Sequence, residues 1–435
     1  MKIYTILWTL AMLCLSASEP RYHLIFTDDN RTVAYNTATQ SQRIYPYGAT
    51  LQPLLGYTTT EGSVLAGIEE LTALFSPEWY GIRLTIDLVF QQSVEQILDR
   101  YKDALNADEI LVGVMESGTG RMKVLASSNR YNPNTMAKAD PSAMRQKFSD
   151  YTYEPGAVMM PLVMAAALER DLVEPGALIA TGSKLVYSNG RCATDAVRTD
   201  LLTPAEILLN LSNIGIAKIA FRFSGYEFRE SLEKFGLQQY CCIAFMHYSN
   251  GFLRSSETFE ERMYRANTAY GYGMHANFLQ MLKAYSAFNN EGRVVMPQLV
   301  YSVLDKKEEV IGFIVPPAEA VGKQTAAQVH DMLVGSAQKG VGKKINFPGV
   351  EIGGMGAAAY IAKGGKYVKE FHSSFYGFAN DKRGERYTIG VLVIKPKATK
   401  QFYASRSAVQ VFGEVVRVMA EQGFLNVERR KKAKR

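Results

Sequence analysis

Cysteine and histidine are both scarce in this 435-residue chain, with four of the first and five of the second. Cys14, Cys192, Cys241 and Cys242 show no metal-ligand spacing, and adjacent cysteines bridge each other only with backbone strain. They read as small, semi-buried hydrophobes, and no metal is implied. His23, His247, His275, His330 and His372 are scattered, without the H-E-x-x-H pairing that would put two of them on one helix face, so each is expected to be structural. Excess charge of one sign is missing from most of the chain. The net +7 depends on six basic residues among the last seven, and the remainder, 43 basic against 42 acidic, stands at +1. That excludes the broad positive face a nucleic acid demands. After residue 18 no run is apolar enough over the roughly 17–25 residues that span a bilayer. The glycine-rich stretches GGMGAAA (353–359) and KGVGKK (339–344) both miss the G-x-x-x-x-G-K-[ST] pattern that cradles phosphate. Neither a nucleotide nor any other cofactor is expected.

What is present describes an ordinary globular protein, 47% apolar and 21% charged, with a length that allows two or three domains. Lys2 is followed by IYTILWTLAMLCLSAS, with Ser16 and Ser18 at small-residue positions ahead of Glu19. We read residues 1–18 as a signal peptide, with a short uncleaved membrane anchor as the alternative. Leu13 before Cys14 does not fit a lipoprotein signal. Residues 19–83 show no clear amphipathic repeat and suggest a small irregular lobe. From Arg83 the pattern sharpens. IRLTI alternates as a strand, Asp87 stands where an N-cap belongs, and Phe90, Val94, Ile97, Leu98 and Tyr101 recur at helical spacing. ILVGVMES and RMKVLASS, joined through Gly118-Thr119-Gly120, form a hairpin closed by NPN at 132–134.

After a polar loop, residues 135–153, comes EPGAVMMPLVMAAALERD, apolar on nearly every side and preceded by Pro155-Gly156. A helix with no polar stripe is buried all round. Its N-terminal N–H groups and dipole face whatever cavity adjoins them, which suits a nucleophile. Near the other end, EFHSSFYGFAN and RYTIGVLVIKP read as strands joined by DKRGE, and SAVQVFGEVVRVMAEQG as an amphipathic helix stopped at Gly423. Together these elements imply a mixed α/β (α+β) architecture, an antiparallel sheet sandwiched by helices. The basic tail reads as a solvated end, with an acidic membrane surface as the alternative contact.

The order of these segments resembles the class B penicillin-binding proteins, the monofunctional peptidoglycan D,D-transpeptidases of division and elongation. The likeness runs from about Tyr45 to about Ala420. RIYPYGATLQPLLGY and AGIEE are similar to the entry into that family's catalytic domain, LTIDLVFQQSVE to its first strand and helix, and EPGAVMMPLVMAAALE to its nucleophile helix. NLSNIGIAKIA, AYGYGMHANFLQMLKAYSAFNNEG and IGGMGAAA occupy the places of the second motif, the long helix region and the third motif. The resemblance implies a transpeptidase or serine β-lactamase-like fold over residues 84–420, a truncated pedestal-like lobe over 19–83 and a basic tail over 421–435.

In that family an S-x-x-K serine attacks a stem-peptide carbonyl or a β-lactam, its lysine accepts the proton, an S-x-N serine relays protons, and a K-[ST]-G strand binds the substrate carboxylate. Laid on this chain, S-x-x-K falls on Ala157, Val158, Met159 and Met160. S-x-N falls on Leu211, Ser212 and Asn213, where only the asparagine survives, and the third motif on Gly354, Met355 and Gly356. Nucleophile, base, relay and third-motif lysine are thus absent together. Literal S-x-x-K strings at Ser231 and Ser336 do not open a buried helix after Pro-Gly. Ser149, Thr152 and Ser212 are hydroxyls without an evident lysine partner and read as surface or loop polarity. The resemblance therefore implies a pseudo-transpeptidase on the periplasmic side of the cell envelope, acting in peptidoglycan synthesis or division through contacts. Its candidate partners are peptidoglycan or its stem peptide, a glycan polymerase, an active transpeptidase and, through the N-terminus, the membrane. The alternatives are an enzyme active through atypical residues and a stem-peptide binding module.

Overall fold

The computed structural model describes residues 24–37, 42–58, 66–72, 79–138, 140–242, 244–245, 247–305, 309–311, 314–340, 345, 347–398 and 404–427. The expected signal or anchor and most of the basic tail lie outside them. The principal strands are β1 (Leu24–Phe26), β2 (Thr32–Asn36), β3 (Arg43–Ile44), β4 (Trp79–Leu84), β5 (Glu109–Glu116), β6 (Met122–Ser127), β7 (Val300–Asp305), β8 (Glu309–Ile311), β9 (Val350–Lys363), β10 (Lys366–Asp381) and β11 (Arg386–Ile394). The helices that bear on the site are α1 (Leu88–Leu105), α2 (Met160–Glu169), α3 (Pro204–Asn210), α4 (Asn213–Ala220), α5 (Arg262–Ala269), α6 (Phe278–Ser286), α7 (Lys323–Lys339) and α8 (Ala408–Glu421).

Local chemistry sets these boundaries. The Asp87 carboxylate accepts from Phe90 N–H and starts α1, which then buries Phe90, Val94, Ile97 and Leu98, the stripe expected from their spacing. Glu116 and Arg121 close the β5–β6 turn through a backbone hydrogen bond of 2.9 Å. The outer edge of β6 is covered from α1, because the Gln91 side-chain amide pairs with both Leu125 N–H (3.0 Å) and Leu125 C=O (3.1 Å) as another strand would. The NPN segment does the same for the N-terminal region, where the Asn134 amide pairs with both backbone groups of Tyr45.

The central sheet has the order β9-β10-β11-β5-β6, with every neighbour antiparallel. Because it is covered on both sides, its strands read as nearly continuous apolar runs. In β5, Leu111 and Met115 enter a front core with α2 and α6, while Ile110, Val112 and Val114 enter a back core with α1 and α8. Each fully buried Leu, Ile, Val or Phe side chain is worth about 1.5–3 kcal/mol. This is the expected helix-sheet-helix sandwich.

The N-terminal lobe is more regular than its sequence suggests. A second sheet has the order β8-β7-β4-β1-β2-β3, with β1 parallel to β4 and β7 antiparallel to it. Ile82 is flanked by Ile25 on one side and Val303 on the other. Strands of two to six residues, completed by a segment more than 200 residues downstream, leave no local periodicity to read. The Arg43 guanidinium and Glu69 carboxylate, both buried, add a two-pronged ion pair at 2.8 and 3.1 Å. Among the described residues no helix is long and apolar enough to cross a membrane.

Candidate functional site

The motif helix enters through a tight turn. Gly156 has φ +69°, and a Cβ there would stand 3.1 Å from the Ala359 Cβ, so the turn sits directly on β9. Gly156 N–H donates to Gly271 C=O at 3.0 Å, and a Cβ on Gly271 would lie 2.0 Å from Gly156 O. The two glycines let the segments cross at backbone distance. Residues Gly156–Met159 form a 3₁₀ turn that runs into α2. Of the four motif positions, Val158, Met159 and Met160 are fully buried and Ala157 alone is partly exposed. The Tyr285 hydroxyl donates to Val158 C=O at 2.8 Å and steadies the turn from below.

The second motif lies at the junction of α3 and α4, both of which pack on α2. Leu211 caps α3 in the left-handed conformation (φ +54°) and packs against the front core. Ser212 caps α4, its Oγ accepting from Gly215 N–H at 2.9 Å and donating to the Asp195 carboxylate at 2.5 Å. The surviving asparagine is engaged as well, since Asn213 Nδ2 donates to Thr194 C=O at 3.1 Å. The segment before α4 is thus held by the loop that carries Thr194 and Asp195.

The third segment runs along β9, paired with β10 so that Gly354, Met355 and Gly356 lie opposite Gly377, Tyr376 and Phe375. Strand alternation divides them. A Cβ on Gly354 would meet the Phe375 ring at 2.7 Å and one on Gly356 the Ala404 Cβ at 3.0 Å, both on the back face. Met355 is buried in the front core, followed on that face by Ala357 and Ala359 against Gly156. Of the three positions singled out, only 355 points a side chain toward the motif helix. A period-two reading of 353–359 would have picked 355, 357 and 359 as the facing set.

The three segments therefore converge on one helix, with a methyl group at 157, an isobutyl at 211 and thioethers at 160 and 355. The nearby polar groups are partly occupied, although Glu154 Oε2 and the Thr268 hydroxyl are buried without a hydrogen-bond partner among the described residues. Glu154 Oε1 accepts from Gly273 N–H (2.6 Å) and the Tyr367 hydroxyl (3.1 Å), and burial pushes this carboxyl group up. Tyr270 donates to Asn267 Oδ1 at 2.5 Å and lies 3.2 Å from the Tyr187 hydroxyl, and burial raises both phenols. Nothing in the local spacing singles out Tyr270 or Glu154, whose partners come from the α5 end, Gly273 and the β9–β10 arm.

The other candidates lie elsewhere. Ser231 Oγ donates to Glu227 C=O at 2.7 Å within its own helix, and Ser336 is buried on α7. Ser149 and Ser212 are buried parts of loops and caps rather than surface polarity, because their hydroxyls satisfy backbone and carboxylate groups at chain turns. Thr152 pairs with Asn277 in a short two-stranded ladder. Cys241 and Cys242 are wholly buried, more so than expected, and burial pushes the Cys241 thiol up to about 11; Cys192 is exposed. His372 is buried, its Nε2 lies 2.9 Å from the Tyr151 hydroxyl, and burial holds its imidazole down to about 4.

An antiparallel sheet between helices, with three such segments meeting at a buried helix start, is the transpeptidase-like architecture that the resemblance implies. Residues 110–417 match the penicillin binding protein transpeptidase domain, and the chain belongs to that family. It is 24% identical over 407 residues to the peptidoglycan D,D-transpeptidase FtsI of Escherichia coli, covering 87% of this chain and 66% of that protein. It is 24% identical over 421 residues to the stage V sporulation protein D of Bacillus subtilis, covering 87% of this chain and 64% of that protein. The chain thus spans less than two thirds of the length of these curated relatives. In fold it is similar to crystalline penicillin-binding protein 3 of Mycobacterium tuberculosis, with a TM-score of 0.84 at 21% identity, covering 94% of this chain and 97% of that one.

Proposed function

We propose that the chain is a non-catalytic penicillin-binding-protein homologue, acting in peptidoglycan synthesis or division as a scaffold or regulator on the periplasmic side of the cell envelope. The observation that carries this reading is Ala157. It is the only partly exposed position of the motif turn, and it bears a methyl group where the family's chemistry needs an oxygen. Met160, where the base would stand, is sealed in the front core and has no basic nitrogen. Loss of a serine nucleophile alone costs about a millionfold in rate. Similarity to relatives named as peptidoglycan D,D-transpeptidases supports a role in the cell wall. The role left to such a chain is contact with a glycan polymerase or an active transpeptidase, with residues 84–420 as the transpeptidase-like domain and residues 1–18 as export signal or anchor.

Fluorescent penicillin followed by intact-mass measurement tests the reading. We expect no covalent adduct and no D-alanine release from a pentapeptide. An adduct on the wild-type chain would establish the competing reading, an enzyme working through atypical residues.

A further inference from the structure

Beyond the motif turn the surface continues as a face of aromatic rings and cations. Arg254 is stacked over the Tyr264 ring at 4.4 Å and faces the Phe252 ring at 5.9 Å. Among the described residues its guanidinium has no carboxylate partner. Gly273 lies beside it, a Cβ there standing 3.8 Å from Nε and Nη2. From Gly273 the face runs through Glu154 to Tyr367, which meets Tyr272 edge to face at 5.3 Å and 90°. The Tyr272 hydroxyl in turn accepts from Tyr360 N–H at 3.1 Å.

The Tyr272 and Tyr367 hydroxyls are tied inward, while Phe252, Tyr360 and Tyr367 remain 44%, 41% and 54% exposed. Lys366 and Lys369 stand exposed on the β9–β10 arm, where Lys363 is paired with Glu370 at 2.6 Å. Rigid aromatic faces cover apolar ring faces of a ligand at little entropic cost, and an arginine held flat without a counter-ion is prepared for a carboxylate. The two occur here side by side, so the matching ligand alternates apolar rings with anions.

We propose that this face binds the peptide-stripped glycan strand of peptidoglycan, a chain of N-acetylated hexosamines in which every second sugar carries a free lactyl carboxylate. The inference rests on the cell-wall reading above and names the ligand of a neighbouring surface. On a strand that keeps its stem peptides the lactyl group is an amide, and the anion beside the ring is lost. Stacking serves the sugar faces, and Arg254 with the arm lysines serves the carboxylates.

The test is fluorescence anisotropy of the full chain with three labelled polymers: amidase-stripped glycan strands, uncrosslinked strands that retain stem peptides, and poly-glutamate as an acidic peptide. The stripped strands should bind tightest, and Arg254→Ala and Tyr367→Ala should each weaken them about tenfold. Tyr367→Phe, which keeps the ring, should retain most of the affinity. An unchanged thermal midpoint confirms the fold of each variant. Should Arg254→Ala lower it, Arg254→Lys, which keeps the charge without the planar fork, supplies the readout. Equal binding of all three polymers, indifference to Arg254, or loss of binding on removing residues 428–435 alone would overturn the proposal. A penicillin adduct would sink the pseudoenzyme reading and leave this one standing, whereas weak glycan binding would do the reverse.

Discussion

The two faces of the central sheet hold cores of different character. Behind it, Val112, Val114, Ile389, Val391 and Val393 meet Phe375 and Phe412, whose rings pack edge to face at 4.6 Å. In front, beneath the motif helix, polar atoms are buried among the apolar ones. Tyr153 and Tyr376 share a 2.6 Å hydroxyl contact, Tyr285 bonds Val158 C=O, and His372 bonds Tyr151. The back face is filled almost wholly by apolar shape, with the buried Ser407–Ser373 hydroxyl pair at 2.7 Å at its margin. The front face must satisfy donors and acceptors, and it does so inwardly for these hydroxyls but leaves His372 Nδ1 and Glu154 Oε2 buried without a hydrogen-bond partner among the described residues. That difference separates a mainly apolar core from one that carries buried polar groups beneath the motif helix.

Perturbing the back face should have the largest effect. Phe412→Ala removes a fully buried ring and should cost about 4 kcal/mol in denaturant unfolding. On the front face Met160→Lys buries an unpaired amine and should cost about 3–4 kcal/mol without producing penicillin labelling. If that lysine were tolerated at no cost, the front core would be looser than its packing implies.

The front face should also be the acid-sensitive one. In the unfolded chain His372 takes up a proton near pH 6.5, but in the folded protein burial delays this to about 4, with Lys395 acting in the same direction and Asp108 and Glu370 opposing it. The folded state therefore binds fewer protons across that window. Stability is intact above pH 6.5 and falls as the pH drops toward 4, by on the order of 3 kcal/mol. Urea midpoints measured against pH should show this slope in the wild type and lose it in His372→Gln.

Smaller effects sharpen the contrast at the motif segments. Ser212→Ala should cost about 1 kcal/mol as a lost helix cap and leave glycan binding unchanged, since the hydroxyl serves Gly215 and Asp195. Ala157→Ser should shift stability by less than about 0.5 kcal/mol and still give no penicillin adduct, because the residue one turn on remains a methionine. Labelling of that single variant would mean that another base reaches position 157.

Much of this was legible in the sequence where the determinants are local. The Asp87 cap, the α1 stripe, the terminal hairpins and the all-round apolar motif helix follow from spacing and turn chemistry within a dozen residues. The N-terminal sheet was not legible, because β4 finds β1 and β7 only through pairing across the chain. The orientation of 353–359 was legible only as a period of two, because glycine and alanine carry too little side chain to say which set faces the helix.

Residue identity alone decided which atoms this protein has: no hydroxyl at 157 or 355, no amine at 160 or 354, and no serine at 211. Folding cannot supply an atom that the sequence omits. The tertiary structure decided where the remaining groups point. It turned Gly354 and Gly356 to the back core, gave Ser212 and Asn213 to the Asp195 loop, and set Arg254 between two rings beside Tyr367. Those placements depend on contacts between segments tens to hundreds of residues apart, and such contacts exist only once the sheet and its two cores have closed.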